Sequence, residues 1–226
     1  MAEDFEIGFI NPVKGALLDL FLSKGWYRMG MHIFTTHSLQ PQGDDNTYPV
    51  YWLRYNVRNV QLSKSSLAII KLNKQFTVSY RPFSLTPELV ELHRLYFSGI
   101  DFHAADSLEN VLIDINRVVY DTWVIEIRDN GKLIAAGVFD LGLETIAGII
   151  NFYDHAYKKY SMGKYLVLLK YNFCVKKNLP WYYPGYFSTT YPKFDYKLFL
   201  DKAATDVFIK ETSEWISYYD FVSIVK

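Results

Sequence analysis

The sequence holds one cysteine, Cys174, among 226 residues. A lone thiol excludes an internal disulfide, a cysteine-rich zinc site and an iron–sulfur cluster. No apolar run approaches the roughly 20 residues of a bilayer span, and the first residues, MAEDFEIGFI, carry acids where a secretory signal carries lysine or arginine. These absences predict a soluble cytoplasmic protein with no membrane partner. HExxH, phosphate-loop and GxSxG strings are missing as well, which removes the commonest metalloprotease, NTPase and hydrolase signatures. Net charge is also lacking, because 24 Lys and Arg offset 24 Asp and Glu. What is present is a half-apolar chain with 21% charged residues, enough to bury a core and too apolar for disorder.

The zero net charge hides a division. From 46 to 87 there is no acid, while Arg54, Arg58, Lys64, Lys71, Lys74 and Arg81 lie there. A second acid-free stretch, 155 to 194, holds Lys158, Lys159, Lys164, Lys170, Lys176, Lys177 and Lys193. If the two converge they form a phosphate-binding face, since local field governs ionic association; otherwise they are solvated surface.

Helix and strand signals alternate irregularly. Asn11-Pro12 opens a helix over 12–24 that Gly25 ends, Met31 to Thr36 and Val50 to Val57 read as strands forming an antiparallel pair, and 40–49 reads as their loop. Ser63 caps a helix to about 74, Phe76, Val78 and Tyr80 alternate as a strand, and Thr86-Pro87 starts a helix to about 97. Ser107 caps a helix to about 115. Asn130-Gly131 between Thr122–Ile127 and Leu133–Phe139 marks a type I′ hairpin, followed by a strand over 145–152, an amphipathic helix over 161–177 and a strand from Trp181 to Tyr186. The class is α+β, divided near residue 82 into an N-terminal subdomain (1–82) and a larger C-terminal domain (83–226).

Several strings in that order resemble the aminoacyl-tRNA–protein transferases, the arginyl and leucyl transferases that tag protein N-termini. They are Gly137-Val138-Phe139-Asp140, Asn151-Phe152-Tyr153-Asp154, Ser161-Met162-Gly163-Lys164-Tyr165, Tyr182-Tyr183-Pro184-Gly185-Tyr186 and Pro192-Lys193-Phe194-Asp195-Tyr196-Lys197. Upstream, Gly25-Trp26-Tyr27-Arg28-Met29-Gly30 is similar to the family's GWRRSG, and Leu62-Ser63-Lys64-Ser65 to its P-S-K-S. The resemblance implies a GNAT-type acyltransferase half with a smaller N-terminal α/β subdomain. Two central strands splay apart, and the next helix presents its N-terminus to the donor, here through Ser161, Gly163 and Lys164. Tyr165 stands where users of coenzyme A keep a small residue, which argues against that donor.

The activity so implied moves leucine or arginine from aminoacyl-tRNA to an acceptor N-terminal amine, as in N-degron tagging for protein degradation. The donor is already an activated ester, so neither cofactor nor metal is demanded. Orientation and preorganised donors supply most of the acceleration, with a carboxylate or water relay for the amine proton. Asp140 is the expected catalytic residue, gripping the acceptor amine or relaying its proton. Asp154, Tyr183 and Tyr186 complete the acceptor side. Arg28, Lys64, Ser65, Lys193, Tyr196 and Lys197 join Ser161, Gly163 and Lys164 on the tRNA side, with Tyr182, Tyr183 and Tyr186 available to stack on an unpaired base. The chain departs from the family in lacking N-terminal cysteines, with His32 and His37 in the matching region. It departs again at Ala147-Gly148-Ile149-Ile150, where the family has S-S-V-Y. On residues alone two other readings stay open: a GNAT-type enzyme using another acyl donor, and a non-catalytic module that recognises N-termini or RNA.

Overall fold

The structure, a computed structural model, describes residues 5–8, 12–41, 43–100, 107–112, 114 and 117–225. In chain order the elements are β1 (Phe5–Gly8), α1 (Ala16–Ser23), β2 (Tyr27–Met29), β3 (His32–Thr36), β4 (Ser38–Leu39), β5 (Tyr48–Pro49), β6 (Tyr51–Asn56), α2 (Lys64–Leu72), β7 (Thr77–Pro82), α3 (Pro87–Ser98), α4 (Leu108–Val111), β8 (Thr122–Asp129), β9 (Lys132–Leu141), β10 (Thr145–Tyr153), α5 (Met162–Lys177), β11 (Trp181–Phe187), β12 (Thr205–Ile209), β13 (Glu214–Ser217) and α6 (Tyr218–Val225). Short stretches of tighter helix precede α5 at His155–Tyr160 and follow β11 at Pro192–Leu198.

Local chemistry sets many of these ends. Ser63, Thr86 and Ser107 side chains accept from the Ser66, Leu89 and Asn110 amides, satisfying orphan donors at three helix starts. Asn130 and Gly131 turn the β8–β9 hairpin with φ of 47° and 87°, the positive values that a type I′ turn demands. The first helix begins later than its cap signal predicts. Gly15 has φ 55° and bridges Gly142, and the Val13 amide donates to the Val119 carbonyl, so 12–15 are committed to neighbouring backbone. Asn11 and His103 lie outside the described residues, as do 113 and 115 of the helix expected over 107–115, whose described part is the single turn α4.

Among the described residues, eight strands form one mixed sheet in the order β13-β12-β6-β11-β10-β9-β8-β7. β6 and β7 lie within 1–82, so both segments of the chain contribute to this one sheet. A smaller sheet, β1-β3-β2, packs with α1 over the β6–β11–β12 region through Leu18, Leu22, Tyr27 and Ile33 against Trp52, Tyr183 and Phe208. The antiparallel pair expected between 31–36 and 50–57 does not form: β3 pairs with β1 and β2, and β6 with β11 and β12. The two-residue ladder β4–β5 is what joins those segments. Both edges of β6 are taken by strands from the far end of the chain, a choice that local alternation does not encode.

The core lies on both faces of the sheet. Ile125 and Ile127 of β8 point to the α5 side with Leu166, Leu169 and Phe173, while Val124 joins Leu89 and Leu92 of α3 on the other. α5 is buried beyond one face: Leu166 to Lys170 are all buried, because α2 covers its outer side. The last elements, β12, β13 and α6, extend the sheet past β6 and bury Val207 and Phe221 against Leu53 and Phe187.

Candidate functional site

β10 and β11 run parallel and pair over Thr145–Ala147 and Trp181–Tyr183, then part. Each carries an irregularity where they separate. On β10, Gly148 faces Phe139 and Ile150 faces Val138, leaving Ile149 as the extra residue of a bulge; on β11 the register slips between Tyr182 and Gly185. Gly185 has φ 99°, and a Cβ there would lie 2.9 Å from Lys197 Nζ, so this backbone needs glycine. The splay, with a helix following β10, is the arrangement expected of a GNAT-type half.

The gap opens into a cavity of about 970 Å³. Gly163, Val167 and Lys170 line it from α5 at i, i+4 and i+7, one stripe of the helix. β10 adds Gly148 to Asn151 and Tyr153, β11 adds Tyr182 and Pro184 to Tyr186, and the turn after β11 adds Tyr191, Lys193, Phe194, Tyr196 and Lys197. Tyr27, Arg28 and Trp52 close it from the N-terminal half, with the Tyr27 and Trp52 rings stacked 3.7 Å apart.

Of the residues expected on the tRNA side, Arg28, Ser161, Gly163, Lys164, Lys193, Tyr196 and Lys197 therefore share one cavity, and Tyr186 of the acceptor set joins them. Lys64 and Ser65 do not. They sit exposed on the first turn of α2, the Ser65 hydroxyl bonded to Ser63. Asp154 caps the turn at 155–160 through the Ala156 amide and pairs with Lys132 at 2.8 Å, which holds its carboxyl below the usual range. Tyr183 is buried in the core, and Tyr182 packs its ring against Tyr55 with its edge on the cavity, so neither ring is open for stacking. Tyr165 also turns into the core, and its bulk leaves the cavity untouched, which removes the steric argument against coenzyme A.

Asp140 is fully buried behind Arg28 rather than on the cavity wall. Its Oδ1 accepts from Arg28 Nη1 at 2.9 Å and from the Thr122 hydroxyl at 2.7 Å. Burial pushes this carboxyl above the usual range, while Arg28 and Thr122 pull it back. Arg28 also donates to the Gly30 carbonyl and lies over the Tyr120 ring, and its Nη2 is buried with no protein partner.

Of the two acid-free stretches only the second sends basic residues to the cavity, Lys164, Lys170 and Lys193, while Arg28 and Lys197 reach it from outside both. Arg54 and Arg81 of the first are taken up by Asp206 and Glu126. Lys197 Nζ donates to the Tyr186 carbonyl at 3.0 Å and sits over the Tyr186 and Phe194 rings; burial and Lys193 push it down to about 7. Lys170, read from sequence as one member of a charge run, is 1% exposed and pushed down to about 7, chiefly by burial. Its signal was visible only as a lysine at a heptad-like step from Gly163. Cys174 is buried, and burial raises its thiol. His93 is buried edge-on to Phe152. Among the described residues no three His, Cys, Asp or Glu side chains gather as a metal site, and no helix is long and apolar enough to cross a membrane.

Comparison with known proteins gives the sequence a lineage. Residues 72–204 match the family described as Arginine-tRNA-protein transferase, C terminus. The aspartate/glutamate leucyltransferase of Methylobacillus flagellatus is 26% identical over 78% of this chain and 68% of its own length. That of Hahella chejuensis is 26% identical over 84% and 81%. Among solved structures, FemX has a TM-score of 0.47 at 7% identity, covering 84% of this chain and 65% of that one. L-PGS from Bacillus licheniformis has 0.44 at 8%, covering 78% and 52%. The family match spans more than half of the sequence and contains β8 to β11 with α5, the elements that build the cavity: the chain belongs to the arginine-tRNA-protein transferase C-terminal family.

Proposed function

We propose that the chain transfers leucine or arginine from aminoacyl-tRNA to the N-terminal amine of an acceptor protein beginning with Asp or Glu. The observation that carries this is the opening between β10 and β11, set beside the first turn of α5 and lined by lysines and tyrosines, in a chain of this family. The names of the relatives support the acid-first acceptor. The donor's 3′ end lies along the start of α5, its phosphates near Lys164 and Lys193 and its terminal base against the half-buried rings of Tyr186 and Tyr191. The ester carbonyl reaches into the splay, where the acceptor amine attacks it. Arg28 Nη2 calls for an acceptor atom, and the side-chain carboxylate of an Asp or Glu N-terminus provides one. Asp140 keeps Arg28 in place for that contact. The ester supplies its own activation, so the reaction needs no cofactor. The tag marks its acceptor for degradation in the cytoplasm.

The test is a transfer assay with tRNA charged with labelled leucine or arginine and peptides beginning with Asp, Glu, Lys or Arg. Label should enter the acid-first peptides from one of the two tRNAs. Bound tRNA with no transfer to any peptide would leave a binding module instead. Affinity for tRNA should also fall with salt. Lys193→Glu should weaken it and reduce the slope of log K against log salt by about 0.7 to 1. Salt-independent binding would remove lysine–phosphate contact from the reading.

A further inference from the structure

Lys170 stands seven residues beyond Gly163 on the same stripe of α5, about 10 Å deeper along the helix axis. Lys164 at the helix start is exposed, whereas Lys170 is buried, so the two mark the open and the deep ends of one cavity. Its Nζ donates to the Val138 carbonyl and to Asn151 Oδ1, each at 2.8 Å. Both acceptors are neutral. An ammonium carries three N–H bonds, but a neutral amine carries two and a lone pair, so two acceptors satisfy the neutral form and leave the lone pair available. Over Gly148, at the β10 bulge, the Tyr182 hydroxyl converges with this amine: a Cβ on Gly148 would lie 3.4 Å from one and 3.5 Å from the other.

We propose that Lys170 is the general base of the transfer. It takes the proton from the attacking α-amine as nitrogen bonds to the ester carbonyl carbon. It then returns that proton to the ribose oxygen as the carbon–oxygen bond to tRNA breaks. A peptide bond and a free ribose hydroxyl result, and Lys170 is neutral again. This rests on the transferase reading above and replaces the carboxylate expected from sequence. The groups that face the amine agree with the role. Asp140 on β9 favours the ammonium, Lys197 after β11 opposes it, Tyr182 on β11 keeps its proton because of burial, and Asn151 on β10 is uncharged. Burial and Lys197 outweigh Asp140, so the amine titrates close to neutral pH.

The experiment is single-turnover transfer from charged tRNA to an Asp-first peptide between pH 6 and 9. The wild-type rate should rise with pH through two ionisations, that of the peptide amine and a second near 7. Lys170→Met should be slower by about 10² to 10⁴-fold, lose the second ionisation and bind tRNA unchanged. Lys170→Arg should be equally slow, since a guanidinium does not give up its proton. A wild-type rate in Lys170→Met, or recovery in Lys170→Arg, would overturn the base and, in the second case, put a fixed charge in its place. Independently of activity, the ¹³Cε resonance that Lys170→Arg removes from the full chain should titrate near 7, and titration in the ordinary lysine range would overturn the proposal. Wild-type protein that transfers nothing would defeat the transferase reading and the base together, whereas active wild type with unaffected variants defeats the base alone.

Discussion

Between pH 7 and about 9.5 the folded chain should gain roughly 3 kcal/mol of stability, the reverse of what most surface charge produces. The sign follows from Lys170. Its amine titrates at about 7 when folded and at the ordinary 10.5 when unfolded. In that window the unfolded chain therefore holds a proton that the folded chain has lost, and rising pH disfavours the unfolded state. Lys197 adds in the same direction, with less weight because the residue is partly exposed. Near pH 10 the trend turns over. Burial raises the phenols of Tyr27, Tyr55 and Tyr182, so the folded chain keeps protons that the unfolded chain gives up there. Urea unfolding at pH 7, 8 and 9 reads the slope, and Lys170→Met should flatten most of it. An equal slope in that variant would mean that Lys170 is charged in the fold.

Asp140→Ala should destabilise the protein by about 3 to 5 kcal/mol, the range for removing one partner of a buried ion pair. The side chains of Arg28 and Asp140 are 1% and 0% exposed, and the stranded guanidinium keeps only the Gly30 carbonyl and the Thr122 hydroxyl, both neutral, as acceptors. The cost comes from the orphan rather than from the strength of the pair. The double variant Arg28→Met, Asp140→Leu should therefore recover more than half of the loss. A thermal or urea unfolding cycle over the four proteins measures this. If the double variant is as unstable as the single, the pair contributes attraction beyond the removal of an orphan charge. Asp140→Asn keeps a hydrogen-bond acceptor for Arg28 and should cost less.

Neither the burial of Lys170 nor the Arg28–Asp140 pair is written in local sequence. The caps at Ser63 and Thr86 and the turn at Asn130-Gly131 are local chemistry, legible wherever they occur. The stripe of Gly163, Val167 and Lys170 is also there to be read, yet a lysine looks alike in sequence whether it faces solvent or a cavity; its burial is decided by β9 and β10, whose Val138 carbonyl and Asn151 side chain it meets. Asp140 illustrates the converse. Its position at the end of a strand was correct, but whether its carboxylate met a ligand or Arg28 depended on β2, more than a hundred residues away. The same blindness explains the mispaired Met31–Thr36 and Val50–Val57. Alternation tells which face a strand buries and says nothing of its neighbour.

The placement of β6 between β11 and β12 has a consequence for synthesis. Its partners, Trp181 to Phe187 and Thr205 to Val207, leave the ribosome roughly 130 to 150 residues after it. At about 5 to 20 residues per second, β6 waits on the order of 6 to 30 seconds with both edges unpaired. Throughout that interval the nascent chain exposes an aromatic strand, Tyr51 to Asn56, that another chain could pair with. Occupancy of holding chaperones on stalled chains should therefore begin once β6 emerges and persist until the last hairpin has been made.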